Sequence, residues 1–212
     1  PSIVDVNQDG QAELLVGRTL IEASTGLPIW TGEDGTGING FIGPISFAAD
    51  LDLDGNQEVI AGGTLYSSTG ETLWKVDYGN EGSGCKDAGL PCDGFNAVGN
   101  FDDDPEGEIA TVRNGVAYVF QHTGEKTAMR TIPKAGCGKN EGGPPTVADF
   151  DNDGDAEIGV AGANYYVVVD WECCVDTLNC DAIPPGKEGE CEEPGIRWNA
   201  ANEDCSSRVT GS

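Results

Sequence analysis

The sequence predicts an all-β fold of the β-propeller type, built from repeated modules of four short strands. An acidic segment recurs four times and begins at residues 5, 50, 100 and 149, so one module spans about 45–50 residues. Each copy is followed by a short apolar run, and no segment shows the sustained apolar stripe of a helix. Short strands at even spacing with glycine-rich turns are typical of propeller blades, with one blade per repeat.

The acidic segment of each module predicts a loop between two strands. Position 6 of the loop is glycine in three copies, whereas the third copy has Asn100 at position 1 and Pro105 at the turning position. The residues at positions 1, 3, 5, 7 and 9 of the four loops are Asp5, Asn7, Asp9, Gln11 and Glu13; Asp50, Asp52, Asp54, Asn56 and Glu58; Asn100, Asp102, Asp104, Glu106 and Glu108; and Asp149, Asp151, Asp153, Asp155 and Glu157.

Oxygen-bearing side chains at alternate positions of a tight loop favour a hard cation, because they converge on one point. Calcium accepts six to eight oxygens in irregular geometry, whereas magnesium requires a strict octahedron. An EF-hand would place an acid at position 12, but that position is Val16, Ala61, Thr111 or Val160 in a strand-like run. The alternative is a solvated acidic turn without metal. Four copies at one register argue against it, because carboxylates this close repel one another.

A Thr-Gly turn follows in three modules and predicts a hairpin at the same place in each. The turns are Thr25-Gly26, Thr69-Gly70 and Thr123-Gly124, and the first two lead into Trp30 and Trp74 at the same offset. This repeated placement favours packing between blades over the alternative, in which the tryptophans stack on sugars.

The repeats divide the chain into one propeller segment of four modules, at about 1–43, 44–93, 94–143 and 144–212. In the fourth module a cysteine-rich insertion at about 172–194 interrupts the expected hairpin before a return strand. The chain stops short of where a fifth acidic loop would begin. We therefore expect part of a larger ring of roughly seven or eight blades, with a closed ring of four as the alternative.

The eight cysteines favour disulfides over zinc, because no pair has the close Cys-x-x-Cys spacing of a zinc site. An even number of cysteines in glycine- and proline-rich stretches is typical of an oxidising compartment. Their pairing is left open by the sequence, since eight cysteines allow 105 connectivities. The cysteines are Cys85, Cys92, Cys137, Cys173, Cys174, Cys180, Cys191 and Cys205.

The charge of the chain excludes several classes of partner. The 37 acidic and 11 basic residues give a formal net charge of −26. Such a chain lacks the cations that non-specific nucleic-acid binding and docking on anionic lipid require. No apolar run approaches the length of a membrane span, so we expect no membrane insertion. Together with the cysteines, these features predict an extracellular or cell-surface protein.

The residues do not form a recognisable catalytic set, and we expect no enzyme. The single histidine, His122, stands just before a Thr-Gly turn, which excludes serine–histidine and cysteine–histidine arrangements. The acids of the loops are assigned to metal. The remaining candidates, such as Asp77, Glu81, Asp176 and Glu190, have no diagnostic spacing.

The loop pattern D-x-[DN]-x-D-G-x-x-E, in modules of this length, resembles the FG-GAP or VCBS-type repeat of integrin α-chains and secreted bacterial proteins. The resemblance covers nearly the whole chain except the cysteine-rich insertion. It implies a β-propeller that binds three to four Ca²⁺ through loop positions 1, 3, 5, 7 and 9, with position 7 acting through its backbone. The copy at Asn100 departs from the family pattern. The insertion and the Thr-Gly turns look more like the secreted bacterial versions.

These features predict a secreted calcium-binding propeller for adhesion, with a protein or glycan ligand on its loop face and calcium as a structural ion. One alternative is the non-catalytic portion of a calcium-dependent polysaccharide lyase, because some such lyases are propellers with similar loops. Another is a structural subunit of an extracellular filament or coat. Either could involve self-assembly, with the rest of a parent chain or into filaments.

Overall fold

The computed structural model describes residues 1–35, 37–38, 44–76, 93–133, 142–161 and 165–201, with backbone alone for Tyr165 and 198–201. Several residues singled out in the sequence lie outside this part of the chain, namely Cys85, Cys92, Cys137, Cys205, Asp77 and Glu81. Within the described residues, no helix is long and apolar enough to cross a membrane.

The described residues form sixteen β-strands and one short 3-10 helix (Trp171–Cys173). The first sheet contains β1 (Ser2–Val4), β2 (Glu13–Val16), β3 (Thr19–Glu22) and β4 (Pro28–Thr31). The second contains β5 (Ser46–Ala49), β6 (Glu58–Ala61), β7 (Thr64–Tyr66) and β8 (Thr72–Lys75). The third contains β9 (Phe95–Gly99), β10 (Glu108–Arg113), β11 (Val116–Phe120) and β12 (Lys126–Thr131). The fourth contains β13 (Thr146–Ala148), β14 (Glu157–Ala161), β15 (Tyr165–Val169) and β16 (Ile196–Ala201).

Each sheet has four antiparallel strands in chain order, and each falls within one of the four sequence modules. The all-β class and the four short strands per module are therefore confirmed. Antiparallel neighbours can be joined by short turns, which is why a module of this length closes a complete sheet locally.

The strands pack into two compact units, each with its own apolar core. The first unit comprises Pro1–Asn96 with His122–Gly124, and the second comprises Ala97–Gln121 with Glu125–Ser212. The core of the first unit contains Val6, Leu15, Leu20, Val59, Ala61 and Tyr66. The core of the second contains Ala110, Val112, Ala117, Val119, Ala128, Ile132, Ile158, Val160, Val167, Val169 and Ile196. The second and third strands of the sheets supply most of these residues.

The last strand of every sheet carries a β-bulge at the same place. In the first sheet Leu20 pairs with Trp30 and Ile21 pairs with Pro28, so Ile29 has no counterpart on β3. The same shift occurs in the other three sheets. The residues at the bulge are Ile29, Leu73, Thr127 and Arg197.

The cysteine-rich insertion connects β15 to β16, which pair with each other across it. It begins with the 3-10 helix and contains the disulfides Cys173–Cys191 and Cys174–Cys180. All four of these cysteines are buried. Disulfide bonding is therefore shown for these four cysteines, and the structure gives the pairing that the sequence left open.

Candidate metal centres

Each acidic loop connects the first strand of its sheet to the second. The loop begins directly after β1, β5, β9 or β13, and the glutamate at position 9 is the first residue of β2, β6, β10 or β14. The strand pairing therefore brings position 1 and position 9 to the same end of the sheet.

The glutamate at position 9 is buried in all four loops, with 0–5% of its surface exposed. One of its carboxylate oxygens accepts a hydrogen bond from the backbone N–H of position 2, which ties the start of the loop to its end. The bonds are Val6 N–H to Glu13 at 2.9 Å, Leu51 N–H to Glu58 at 2.8 Å, Phe101 N–H to Glu108 at 2.7 Å and Phe150 N–H to Glu157 at 2.6 Å. The sequence suggested a ligand role for these glutamates but not this structural one.

In each loop three carboxylates converge, with one oxygen of each lying within 4.8 Å of the others. The groups are Asp5, Asp9 and Glu13; Asp50, Asp52 and Glu58; Asp102, Asp104 and Glu108; and Asp149, Asp151 and Glu157. Twelve of the predicted ligand residues are thereby brought together. Asp54 and Asp153, at position 5 of the second and fourth loops, do not belong to these groups.

The residues at position 7 are held in place through their backbone N–H groups. The N–H groups of Gln11, Asn56, Glu106 and Asp155 donate to the position-5 carboxylates of Asp9, Asp54, Asp104 and Asp153 at 2.8, 2.7, 3.1 and 3.0 Å. Asn7, at position 3, accepts a bond of 3.0 Å from the backbone N–H of Asp9. This side-chain-to-backbone bonding shapes the loops as a series of tight turns.

The glycine at position 6 lets the loop turn back onto its first residue. Gly55 has φ of +91°, which is accessible to glycine, and its N–H donates to Asp50 at 3.1 Å. The same bond joins Gly10 to Asp5 at 3.0 Å and Gly154 to Asp149 at 3.2 Å.

The third loop is built differently, as its sequence indicated. Pro105 has no N–H to donate. Asn100 uses its amide inside the loop, donating to the carbonyl of Asp104 at 2.5 Å and accepting from the N–H of Asp102 at 3.2 Å. Position 4 has positive φ in the other three loops, at Gln8, Leu53 and Asn152, whereas Asp103 does not. The three acids of this loop, Asp102, Asp104 and Glu108, still converge.

The loops fit a hard cation. Their converging donors are all oxygens, the ligand type that calcium and magnesium prefer. The buried Oδ1 of Asp50 accepts no hydrogen bond from the described part of the chain. One carboxylate oxygen of the second loop is therefore left free to bind a cation. A bound cation would satisfy such an atom, which otherwise carries an unsatisfied charge.

The electrostatics of the fourth loop point the same way. Burial raises the pKa of Glu157 to about 7, and the charges of Asp151, Asp170 and Asp153 add to the effect. Burial likewise raises the pKa of Glu58. A carboxyl with a raised pKa is stabilised either by a proton or by a cation. These four acidic clusters could therefore hold metal ions.

Two residues that sequence reasoning missed lie beside the fourth loop. Arg197, at the bulge of β16, places Nη2 2.6 Å from Oδ2 of Asp151. Asp170 is 2% exposed, caps the 3-10 helix and lies 3.6 Å from Nη1 of Arg197. Only an alignment of the fourth strands, including the bulge, would have drawn attention to Arg197.

A cavity of ≈ 190 Å³ in the second unit borders the third and fourth loops. It is lined by Phe101, Asp102, Asp103, Asp155, Ala156, Glu157, Asp170, Trp171 and Glu172. The indole N–H of Trp171 is buried and has no hydrogen-bond partner among the described residues. The cavity is therefore acidic, with aromatic side chains on its wall.

No family model matches this sequence, and no curated protein matches it. Among solved structures, the chain is similar to the crystal structure of the V. cholerae biofilm matrix protein Bap1, with a TM-score of 0.54 and 23% sequence identity. The similarity covers 80% of this chain and 26% of the Bap1 chain, so this chain spans about a quarter of the protein that it resembles. At this identity the similarity shows the fold alone.

Proposed function

We propose that this chain is part of a secreted calcium-binding β-propeller that serves adhesion or matrix assembly through a protein or glycan ligand. In this proposal the four sheets are consecutive blades, and calcium is a structural ion in the loops. The observation that carries the proposal is the fourfold loop, in which a buried glutamate and two further carboxylates converge at the same end of every sheet.

Calcium suits these loops better than other common cations. The acids converge with oxygens alone, which disfavours zinc and other metals that prefer nitrogen or sulfur. The loops mix carboxylates, amides and backbone groups in an irregular arrangement, which calcium tolerates and magnesium does not. The resemblance to FG-GAP repeats supports the same ion.

Calcium would stabilise the fold by cross-linking the start and the end of each loop. It would also neutralise part of the net charge of −26, which otherwise opposes a compact state. At millimolar extracellular calcium and a dissociation constant of ~10 µM, each site would add about 2.7 kcal/mol to the free energy of unfolding.

An extracellular setting is supported by the two disulfides, which persist in oxidising compartments. The similarity in fold to a biofilm matrix protein supports an adhesive or matrix role. Fold similarity does not by itself transfer an activity, so the ligand is a matter for direct measurement.

A calcium test comes first. The chain is dialysed against calcium, and the bound metal is counted by mass spectrometry under native conditions. Thermal melts are then recorded in millimolar calcium, in millimolar magnesium and in chelator. We expect three to four bound Ca²⁺ and a melting temperature that calcium raises strongly and magnesium raises little. Equal melting temperatures in calcium and chelator would overturn the calcium role.

An adhesion test follows with the calcium-loaded chain. An array of immobilised bacterial exopolysaccharides and host glycans is probed in calcium and again in chelator. Immobilised matrix proteins are probed in the same way. We expect retention on a subset of these glycans or proteins that is lost in chelator. Retention on none of them would overturn the adhesive role. Incubation with pectic polymers, followed by ultraviolet absorbance of unsaturated uronides, tests the lyase alternative.

A further inference from the structure

A positively charged side chain from β16 lies beside the fourth loop. Nη2 of Arg197 lies 2.6 Å from Oδ2 of Asp151, the position-3 carboxylate of that loop. The two side chains are only 19% and 13% exposed, so water screens their attraction weakly. Asp151 belongs to the group of three carboxylates that converges in this loop. A guanidinium therefore already neutralises one of the three acids.

The repeat shows that this charge distinguishes the fourth module from the others. Arg197 is the bulge residue of β16, and the equivalent residues are Ile29 in β4, Leu73 in β8 and Thr127 in β12. None of these three residues carries a charge. In the third loop the position-3 carboxylate of Asp102 instead accepts a bond of 2.6 Å from the neutral amide of Gln121.

We propose that Arg197 is an internal counter-ion that makes the fourth loop a weaker calcium site than the first and second loops. This inference rests on the proposed calcium role. A guanidinium within a few ångströms of the site repels a divalent cation, and the repulsion is strong where water is largely excluded. The contact with Oδ2 of Asp151 is an ion pair without hydrogen-bond geometry, and Oδ1 of the same carboxylate has no hydrogen-bond partner among the described residues. The fourth loop therefore fills only at higher calcium than the first and second loops.

The cysteine-rich insertion gives the guanidinium a second place to bind. Nη1 of Arg197 lies 3.4 Å from Oε2 of Glu190 and 3.6 Å from Oδ2 of Asp170. When calcium enters the fourth loop, Arg197 can release Asp151 and remain paired with these two acids. Occupancy of the loop is thereby coupled to the contacts between β16 and the insertion.

The test is a calorimetric calcium titration of the wild-type chain, Arg197→Thr and Arg197→Gln. The threonine variant copies the bulge residue of the third module, and the glutamine variant keeps a hydrogen-bond donor without the charge. Arg130→Thr is the matched control, because Arg130 lies in β12 of the same unit, pairs with Glu193 and has the same 19% exposure. This control substitution removes one positive charge that is not paired with a carboxylate of an acidic loop.

In the wild-type chain we expect one site at least about ten-fold weaker than the tightest ones. Removing Arg197 by either substitution should tighten that site by about ten-fold or more, and Arg130→Thr should leave it in place. Adding Glu157→Gln to Arg197→Gln should abolish the gain, which assigns the site to the fourth loop. Circular-dichroism melts identify any variant that fails to fold, and the inference then depends on the other Arg197 variant.

Three outcomes would overturn the inference. Equal affinity at all sites of the wild-type chain is one. A calcium isotherm that is unchanged in both Arg197 variants is another. Weaker binding after removal of the charge would instead make Arg197 a residue that orients Asp151 for the metal. If no variant binds calcium, the proposed calcium role fails, which the wild-type titration shows before any comparison of variants.

Discussion

At the level of single residues, the buried glutamate of each loop combines two interactions that substitution can separate. Glu58 is 5% exposed and accepts the backbone N–H of Leu51 at 2.8 Å, and its carboxylate also belongs to the acidic group of the second loop. Burial raises its pKa, so the ion is costly in the folded chain unless a cation lies beside it.

We predict that Glu58→Gln lowers the melting temperature in calcium but leaves it equal or higher in chelator. Glutamine keeps an oxygen that can accept the Leu51 N–H bond, but it removes the charge that a cation needs. Glu58→Ala should lower stability in both conditions by about 1–3 kcal/mol, because it leaves a buried N–H without a partner.

Thermal melts of both variants, each with and without chelator, check this prediction. Glu71→Gln is the control, since Glu71 lies outside the acidic loops and is exposed. If Glu58→Gln and Glu58→Ala lowered the melting temperature equally in chelator, the backbone hydrogen bond would not be the structural role of this glutamate.

The ligand residues illustrate how far single-residue prediction reached. Alternating oxygen-bearing side chains at five loop positions were visible in the sequence, and twelve of those residues converge in the structure. The sequence could not distinguish Asp52, which joins its group, from Asp54, which does not. Asp9 and Asp104 accept the same position-7 N–H bond as Asp54 and still join their groups, so neither residue type nor this bond determines the difference.

At the level of elements, tryptophans connect neighbouring sheets through hairpin turns. Nε1 of Trp30 donates to the carbonyl of Ser68 at 3.0 Å, in the turn that precedes β8. Nε1 of Trp74 donates to the carbonyl of His122 at 2.7 Å in the same way. The prediction that these two tryptophans pack between modules is therefore confirmed. His122 contributes its backbone to this contact.

The glycine of the turn is what allows the indole to approach. At Gly70 φ is +85°, and a Cβ would lie 2.6 Å from Cδ2 of Trp30; at Gly124 φ is +89°, and a Cβ would lie 2.7 Å from Cγ of Trp74. Gly26 has the same kind of backbone, with φ of +72°, but a Cβ there would meet nothing within 4 Å. The three turns therefore share backbone strain but differ in packing.

We predict that Gly70→Ala destabilises the chain more than Gly26→Ala does. Both substitutions cost about 1–2 kcal/mol for a left-handed backbone. Gly70→Ala should cost roughly 1–3 kcal/mol more, because the new methyl group overlaps the indole. Urea denaturation in saturating calcium measures both variants, and Gly124→Ala should behave like Gly70→Ala. Equal losses at Gly26 and Gly70 would show that the indole contact adds nothing.

At the level of the whole molecule, the excess of acids makes stability depend on pH and metal together. Glu157 has a pKa of about 7 in the fold, chiefly because it is buried, against an ordinary value of 4.5. An acid with a raised pKa takes up a proton on folding. Its contribution to stability is fully present below pH 4.5 and is lost as the pH rises through about 7.

We predict that in chelator the melting temperature rises as the pH is lowered from about 8 to about 5, with Glu157 contributing on the order of 2–3 kcal/mol. In excess calcium the trend should weaken or reverse, because protons compete with the metal for the same carboxylates. Melts of the wild-type chain and Glu157→Gln across this pH range check the prediction. A pH dependence in chelator that is identical in the two proteins would show that Glu157 does not titrate as stated.

The sequence by itself determined the features that depend on local spacing. Alternation of side chains predicted the all-β class and the acidic clusters, because each depends on residues within about ten positions of one another. The recurrence of the short acidic segment predicted the four modules. The cysteine content likewise indicated disulfides, and the described part of the chain contains Cys173–Cys191 and Cys174–Cys180.

Only the tertiary structure decided the features that join distant parts of the chain. Arg197 reaches Asp151 because β15 and β16 pair across the insertion and a bulge turns one extra residue out of the ladder. Asp170 is buried because the same insertion covers it, and the pairing of Cys173 with Cys191 follows the path of that segment. Such contacts depend on register, bulges and loop paths, which arise from the packing of the whole sheet and leave no periodic signal in the sequence.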